Sequence, residues 1–157
     1  LMRAAGCDYI NIAIESASST MLKGMNRRYK VDDVREALNC FARSDMPYGI
    51  SLMFGCPGET PETIAETLEV IDSFPVPPDG VWVTIGICLW TERQAVVEDA
   101  RQAGQLVDDA ELFEGAYYMS PDLPETYMLE LISALSSRKG YTVQVNKAYA
   151  THEYQAN

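Results

Sequence analysis

Apolar runs and helix-spaced apolar residues alternate along the first two-thirds of the chain. The run Asp8-Tyr9-Ile10-Asn11-Ile12-Ala13-Ile14 is rich in β-branched residues, and Gly6 and a Ser/Ala cluster bound it, which predicts a strand. Residues 31–44 predict a helix, because Val34, Leu38 and Phe41 recur at helical spacing with Ala37 and Ala42 beside them. Asp32 and Asp33 fall in its first turn, where negative charge suits the helix dipole. Pro47 marks a break, and the mostly apolar residues 48–54 predict a buried parallel strand. Thr60 is a good N-cap and Pro61 fits the first helical position. Ile64, Leu68 and Ile71 then share a face that Phe74 extends, and the loop Pro75-Val76-Pro77-Pro78-Asp79-Gly80 closes the unit. Residues 81–89 predict a third strand, and residues 92–103 a third helix that stops at Gly104.

Strand–helix alternation with short loops makes the chain α/β, with parallel strands in about three βα units. Such a sheet is half of a barrel or part of an open sheet. A half barrel exposes edge strands and calls for a partner, self-association through that edge included. After Gly104 the pattern changes: residues 108–115 read as a short helical turn or loop. Pro124 opens a helix to about Lys139, with Met128, Leu131, Ile132 and Leu135 on one face, and Gly140 ends it. Residues 142–145 read as a short strand, and residues 147–157 are weakly patterned. Two parts follow: residues 1–104 as the βα units, and residues 105–157 as an extension packing on them. The opening Leu1-Met2-Arg3-Ala4-Ala5-Gly6 lacks a signal peptide's apolar core and reads as the last turn of a helix, as if the chain were a fragment.

Charge and composition narrow the function. The chain has 157 residues and a net charge of −11, with its acids (Glu59 among them) spread along it as a solvated surface. Such a surface repels a phosphate backbone, so no nucleic acid is expected. No apolar run approaches the roughly 20 residues of a membrane span. Cys7, Cys40, Cys56 and Cys88 are too far apart for a chelating pair and read as reduced thiols, mostly packed as small hydrophobes, in a cytoplasmic protein. His152 is the only histidine and has no metal-ligand spacing. No nucleophile elbow, Walker A loop or GxGxxG is present.

Ligands of α/β sheets bind outside the carboxyl ends of the strands. Three such ends lie on one side: Glu15-Ser16-Ala17-Ser18-Ser19, Gly55-Cys56-Pro57-Gly58-Glu59-Thr60 and Leu89-Trp90-Thr91-Glu92-Arg93. Gly55, Pro57 and Gly58 let the backbone approach a ligand closely, or simply make a tight strand-to-helix turn. Glu15 reads equally as a general base, an acceptor for an ammonium group or a solvated loop acid. Arg27 and Arg28 could each clamp a carboxylate or lie in solvent.

Taken together, these ends resemble one family. Ala5-Gly6-Cys7-Asp8 through Ile14-Glu15-Ser16-Ala17-Ser18 looks like the fourth strand of radical S-adenosylmethionine (SAM) barrels, with its GxESGS-like end. Met25-Asn26-Arg27-Arg28-Tyr29 resembles the segment that follows, and Phe54-Gly55-Cys56-Pro57-Gly58-Glu59-Thr60 resembles the xGxPGET turn after the fifth strand. Residues 87–114 and Tyr117-Tyr118-Met119-Ser120-Pro121 are similar to the sixth strand, helix and "fYlSp" segment of radical SAM proteins that also carry a cobalamin-binding domain. The likeness spans about residues 1–145.

The resemblance implies the C-terminal half of a partial (β/α) barrel with a helical extension. Glu15 and Ser16 would hold the amino or ribose groups of SAM, and Arg27 its carboxylate. Gly55, Pro57 and Gly58 would shape the backbone passing the adenine, and Leu89 would offer the ring an apolar contact. The cofactors are SAM, a [4Fe-4S] cluster held only in the full-length protein, and cobalamin if an upstream domain carries it. The partners are the missing N-terminal half of the barrel and an unidentified small-molecule substrate. Three departures stand out: Ala17 replaces a glycine, Lys30 replaces a capping Thr, and Thr91-Glu92-Arg93 replaces Pro-Gly-Thr. The CxxxCxxC loop is absent, so the chain alone is expected to be inactive. Two rivals remain: a non-catalytic α/β module that binds a partner through its sheet edge, and an unrelated α/β enzyme using Glu15 as an acid–base group.

Overall fold

The computed structural model describes residues 1–44, 46–74, 79–89, 91–92, 94–109 and 111–146. The readings for residues 75–78, Trp90, Arg93 and 147–157, His152 included, lie outside these residues. Among the described residues no helix is long and apolar enough to cross a membrane.

The centre is a four-stranded, all-parallel sheet in the order β1 (Ile10–Glu15), β2 (Tyr48–Phe54), β3 (Gly80–Ile85), β6 (Tyr141–Val145). Between β1 and β2 run α1 (Ser19–Gly24) and α2 (Val31–Ala42), and α3 (Pro61–Asp72) joins β2 to β3. This is the parallel α/β sheet that the alternating pattern predicts. The reading of residues 142–145 as a short strand is also correct, and its place is the sheet edge beside β3. The extension after Gly104 therefore contributes a strand to the sheet as well as packing on it.

One correction concerns the third strand, which was expected to run unbroken from 81 to 89. It breaks at Gly86 (φ 84°), and the chain leaves the sheet there. Residues beyond it form β4 (Ile87–Leu89), which pairs antiparallel with β5 (Ala116–Tyr118). The helix expected over 92–103 is the shorter α4 (Val96–Gln102). α5 (Glu111–Glu114) is the short turn expected between 108 and 115, and α6 (Glu125–Ser136) buries the expected Met128, Leu131, Ile132 and Leu135.

One face of the sheet is the core. Ile14, Ile50, Leu52, Phe54, Val83 and Ile85 pack there against Val34 and Leu38 of α2, Ile64 and Ile71 of α3, and Leu135 of α6. The opposite face carries Asn11, Ser51, Trp82, Thr84, Thr142 and Gln144, all at least partly exposed and none charged. A closed barrel turns this face inward. A second apolar cluster, with Leu89, Val97, Ala100, Leu106, Leu112 and Tyr118, fixes α4 and the β4–β5 pair.

Helix starts follow the sequence. Thr60 caps α3: Thr63 N–H donates to its hydroxyl at 3.4 Å, and Thr60 N–H donates to the Thr63 hydroxyl at 3.0 Å. Lys30 gives α2 no side-chain cap. Asp33 compensates by accepting the Lys30 N–H at 2.7 Å.

Candidate functional site

The carboxyl ends of β1 and β2 lie side by side, since Glu15 aligns with Leu52 across an irregularity that skips Ile14. At that irregularity the chain turns sharply. Ser16 N–H donates to Ile14 C=O at 2.6 Å, and Glu15 takes a left-handed conformation (φ 59°) uncommon for a residue with a side chain. Tyr29 secures the same end by donating its hydroxyl to Ile14 C=O at 3.0 Å. The turn sends the Glu15 carboxylate into an ion pair with Arg27, the pair resting 21% and 37% exposed. Asn26, also left-handed (φ 54°), bends the chain after α1 so that Arg27 reaches back. The two charged residues singled out by the sequence are thus brought together at one strand end. Arg28 is exposed and joins no ion pair among the described residues.

Ser16 is placed differently from its expected role. It is fully buried, and its hydroxyl lies 2.9 Å from that of Thr67 on α3 while accepting the Ser18 N–H at 3.1 Å. Thr67 also accepts the Ala17 N–H at 3.1 Å. The Ser16 hydroxyl therefore braces the loop from inside, and its side chain presents no surface to a ligand.

After β2, Gly55 (φ 99°) starts a turn in which Cys56, Pro57, Gly58 and Glu59 follow the type II pattern. Proline stands second, Gly58 third at φ 74°, and Glu59 N–H donates back to Cys56 C=O at 3.0 Å. Gly55 must be glycine: a Cβ there would lie 2.5 Å from the Met119 sulfur and 3.2 Å from Gly86 N. A Cβ on Gly58 would meet nothing within 4 Å, so that residue faces open space.

Glu59 corrects its reading as a surface acid. It is fully buried, and its Oε2 accepts the N–H groups of Gly55 and Cys56. Burial pushes its carboxyl up to about 7, against the two backbone donors that favour the charged form. Its Oε1 has no hydrogen-bond partner among the described residues. The signal available in the sequence was position: an acid between a type II Pro-Gly turn and a helix cap can fold back onto the amides of that turn.

The third strand end is Gly86, whose N–H donates to Phe54 C=O at 2.8 Å. Leu89, expected there, is fully buried in the second apolar cluster, so its side chain offers no contact to a ligand as placed. The glycine inside the run Val83-Thr84-Ile85-Gly86-Ile87 was the missed cue, since an interior glycine marks a bend.

All four cysteines are free, yet only Cys56 is buried; Cys7 is half-buried, and Cys40 and Cys88 are exposed, so packing as small hydrophobes holds for one of the four. Burial, helped by the nearby Glu59, pushes the Cys56 thiol up to about 12, opposed by Arg27, which disfavours its thiolate form. Among the described residues no cluster of three His, Cys, Asp or Glu could hold a metal ion.

Comparison with known proteins places a family likeness on this mouth. Residues 1–71, which carry β1, the Glu15–Arg27 pair, the Gly55–Glu59 turn and most of α3, match the family model described as the Radical SAM superfamily. This segment therefore resembles radical SAM proteins. A tRNA-2-methylthio-N(6)-dimethylallyladenosine synthase of Opitutus terrae is 33% identical over 69 residues, covering 43% of this chain and 14% of that protein. The threonylcarbamoyladenosine tRNA methylthiotransferase MtaB of Thermotoga maritima is 31% identical over 68 residues, covering 42% of this chain and 16% of that protein. The chain thus spans about one-seventh of the length of these relatives. The archaeal Methanocaldococcus infernus Elp3 with an N-terminal deletion superposes on 91% of this chain and 30% of its own, with a TM-score of 0.56 and 24% identity. That likeness shows the fold alone, a parallel α/β arrangement shared past residue 71. Radical SAM chemistry implies SAM and a [4Fe-4S] cluster, and these residues do not fit the cluster: the four cysteines are dispersed along the chain, and no group of three possible ligands comes together among the described residues.

Proposed function

We propose that the chain is the C-terminal part of a radical SAM barrel whose mouth orients SAM, in a parent protein that ligates the [4Fe-4S] cluster outside these residues. The observation that carries this is the Glu15–Arg27 pair beside the Gly55–Glu59 turn, inside the family segment. The amino-acid end of SAM is a zwitterion. A carboxylate and a guanidinium at one strand end complement it: Glu15 accepts from the ammonium, and Arg27 forks onto the carboxylate. Gly58, with no neighbour where a side chain would stand, lets backbone pass flat against the adenine. Pro57 and Gly55 fix the shape of that passage. When bound, the cluster supplies the electron that splits SAM into methionine and a 5′-deoxyadenosyl radical.

In this reading residues 1–104 supply three barrel strands, and the part after Gly104 adds β6 and packs on them through α6. The uncharged inward face, with Asn11, Ser51, Trp82 and Thr84, lines the substrate cavity and suits a neutral, hydrogen-bonding moiety. The relatives act on tRNA by name, so a tRNA is the first substrate to offer the parent protein. The −11 charge of this part argues that phosphate contacts come from elsewhere. Those names also favour methylthio transfer over a cobalamin-dependent reaction.

The test is anaerobic iron and sulfide reconstitution of the parent protein, followed by reduction with SAM present. Iron binding with 5′-deoxyadenosine release is the expected result. A protein that takes up no iron and releases no 5′-deoxyadenosine would leave the resemblance as ancestry alone.

A further inference from the structure

The turn that follows β2 is held by residues far along the chain, outside the family segment. Ser120, 2% exposed, donates its N–H to Gly55 C=O at 3.0 Å and its hydroxyl to Glu59 C=O at 2.9 Å. With Glu59 Oε2 accepting the Gly55 N–H, both polar groups of the Gly55 backbone are committed, and a closed ring of hydrogen bonds joins Gly55, Glu59 and Ser120. Met119 lies on the same turn, with its sulfur where a Cβ of Gly55 would stand.

Met119 is itself held at both backbone groups by one side chain. Gln105 accepts the Met119 N–H at 2.8 Å and donates to the Met119 C=O at 2.7 Å. Gln105 lies just past the Ala103-Gly104 end of α4, and Leu106 next to it is buried in the second apolar cluster with Tyr118. Gln105, Met119 and Ser120 thus form a strap over the turn, anchored in a core of its own. A five-residue turn with two left-handed glycines, open to solvent at Gly58, would otherwise sample many shapes.

We infer that Gln105, Met119 and Ser120 are positioning residues for the ligand-facing turn at Gly55–Glu59, holding it in the single shape to which SAM binds. They touch no ligand; they act through the turn. This rests on the proposal above that SAM is the ligand of this mouth. It deepens that proposal by giving the C-terminal part a defined task at the site. Because the strap ends in the α4 and β4–β5 cluster, changes in that cluster reach the turn through Gln105.

The experiment uses the reconstituted parent protein with Gln105→Ala, Ser120→Ala, Met119→Leu and Ser120→Thr. Two quantities are read on folded protein: amide hydrogen exchange in peptides covering residues 55–59, and the dissociation constant of SAM. Loss of a buried partner predicts that Gln105→Ala and Ser120→Ala each speed that exchange and weaken SAM by about tenfold. Met119→Leu and Ser120→Thr, which keep volume or hydroxyl, should stay near wild type. A purely structural role would lower the melting temperature while leaving exchange at 55–59 and SAM affinity unchanged, and that result overturns the inference. Should Ser120→Ala not fold, Gln105→Ala carries the same test from a half-buried side chain. Wild-type protein that binds no SAM would overturn the SAM reading. Exchange at 55–59 would then still judge the strap, and unchanged rates in Gln105→Ala would reject it.

Discussion

The hydroxyls of Ser16 and Thr67 meet at 2.9 Å in the core, tying the loop after β1 to the middle of α3. Thr67 serves three partners at once: Ser16, the Ala17 N–H, and Thr63 C=O, to which it donates at 3.1 Å. Replacing it by valine keeps the volume and strands two buried groups.

Thr67→Val should therefore destabilise the parent protein by about 1–3 kcal/mol, and Thr67→Ser by much less. Chemical denaturation followed by circular dichroism reads the difference. Equal stability of the two variants would show that the bracket contributes nothing.

Glu59 predicts a pH dependence of a definite sign. Its carboxyl is raised from 4.5 to about 7 in the folded protein, so between those values the native state keeps a proton that the unfolded chain has lost. Stability from this group is full at low pH, falls as pH rises through that window and is flat above it, by a few kcal/mol at most. Glu59→Gln keeps one acceptor for Gly55 and Cys56 and carries no charge. Its melting temperature should vary less than that of wild type from about pH 5 to pH 8. Parallel profiles would place the titration elsewhere.

Gly55 and Gly58 both have positive φ, yet they should respond differently to alanine. Gly58→Ala meets open space and should cost only the left-handed penalty, about 1–2 kcal/mol. Gly55→Ala adds the collision with Met119 and the approach to Gly86 N, a further 1–3 kcal/mol or so. Thermal unfolding ranks them; a smaller loss at Gly55 would contradict the packing described.

Much of the fold was legible because the signals were local. Thr60-Pro61 fixed the start of α3, and the apolar run of residues 48–54 is β2 to the residue. The family pattern singled out Glu15 and Arg27 separately; their ion pair depends on the left-handed backbone at Glu15 and Asn26, which no local signal announces. What escaped was long-range or conformational. The place of β6 beside β3 depends on contacts some 60 residues apart. Leu89 looked like a strand end because one glycine, Gly86, was read as part of the strand. Glu59 looked like any surface acid because its burial depends on folding back onto Gly55 and Cys56.

The most direct test of the account compares two ligands on two proteins. SAM carries the zwitterionic end; 5′-deoxy-5′-methylthioadenosine has the same nucleoside without it. Dissociation constants for both are measured on the reconstituted parent protein and on Arg27→Ala. If Glu15 and Arg27 receive the amino-acid end, Arg27→Ala weakens SAM by about tenfold, a charged hydrogen bond discounted for partial exposure, and leaves the methylthio nucleoside unchanged. Unchanged SAM affinity, or an equal loss for both ligands, would remove the ion pair from the binding site and with it the central claim.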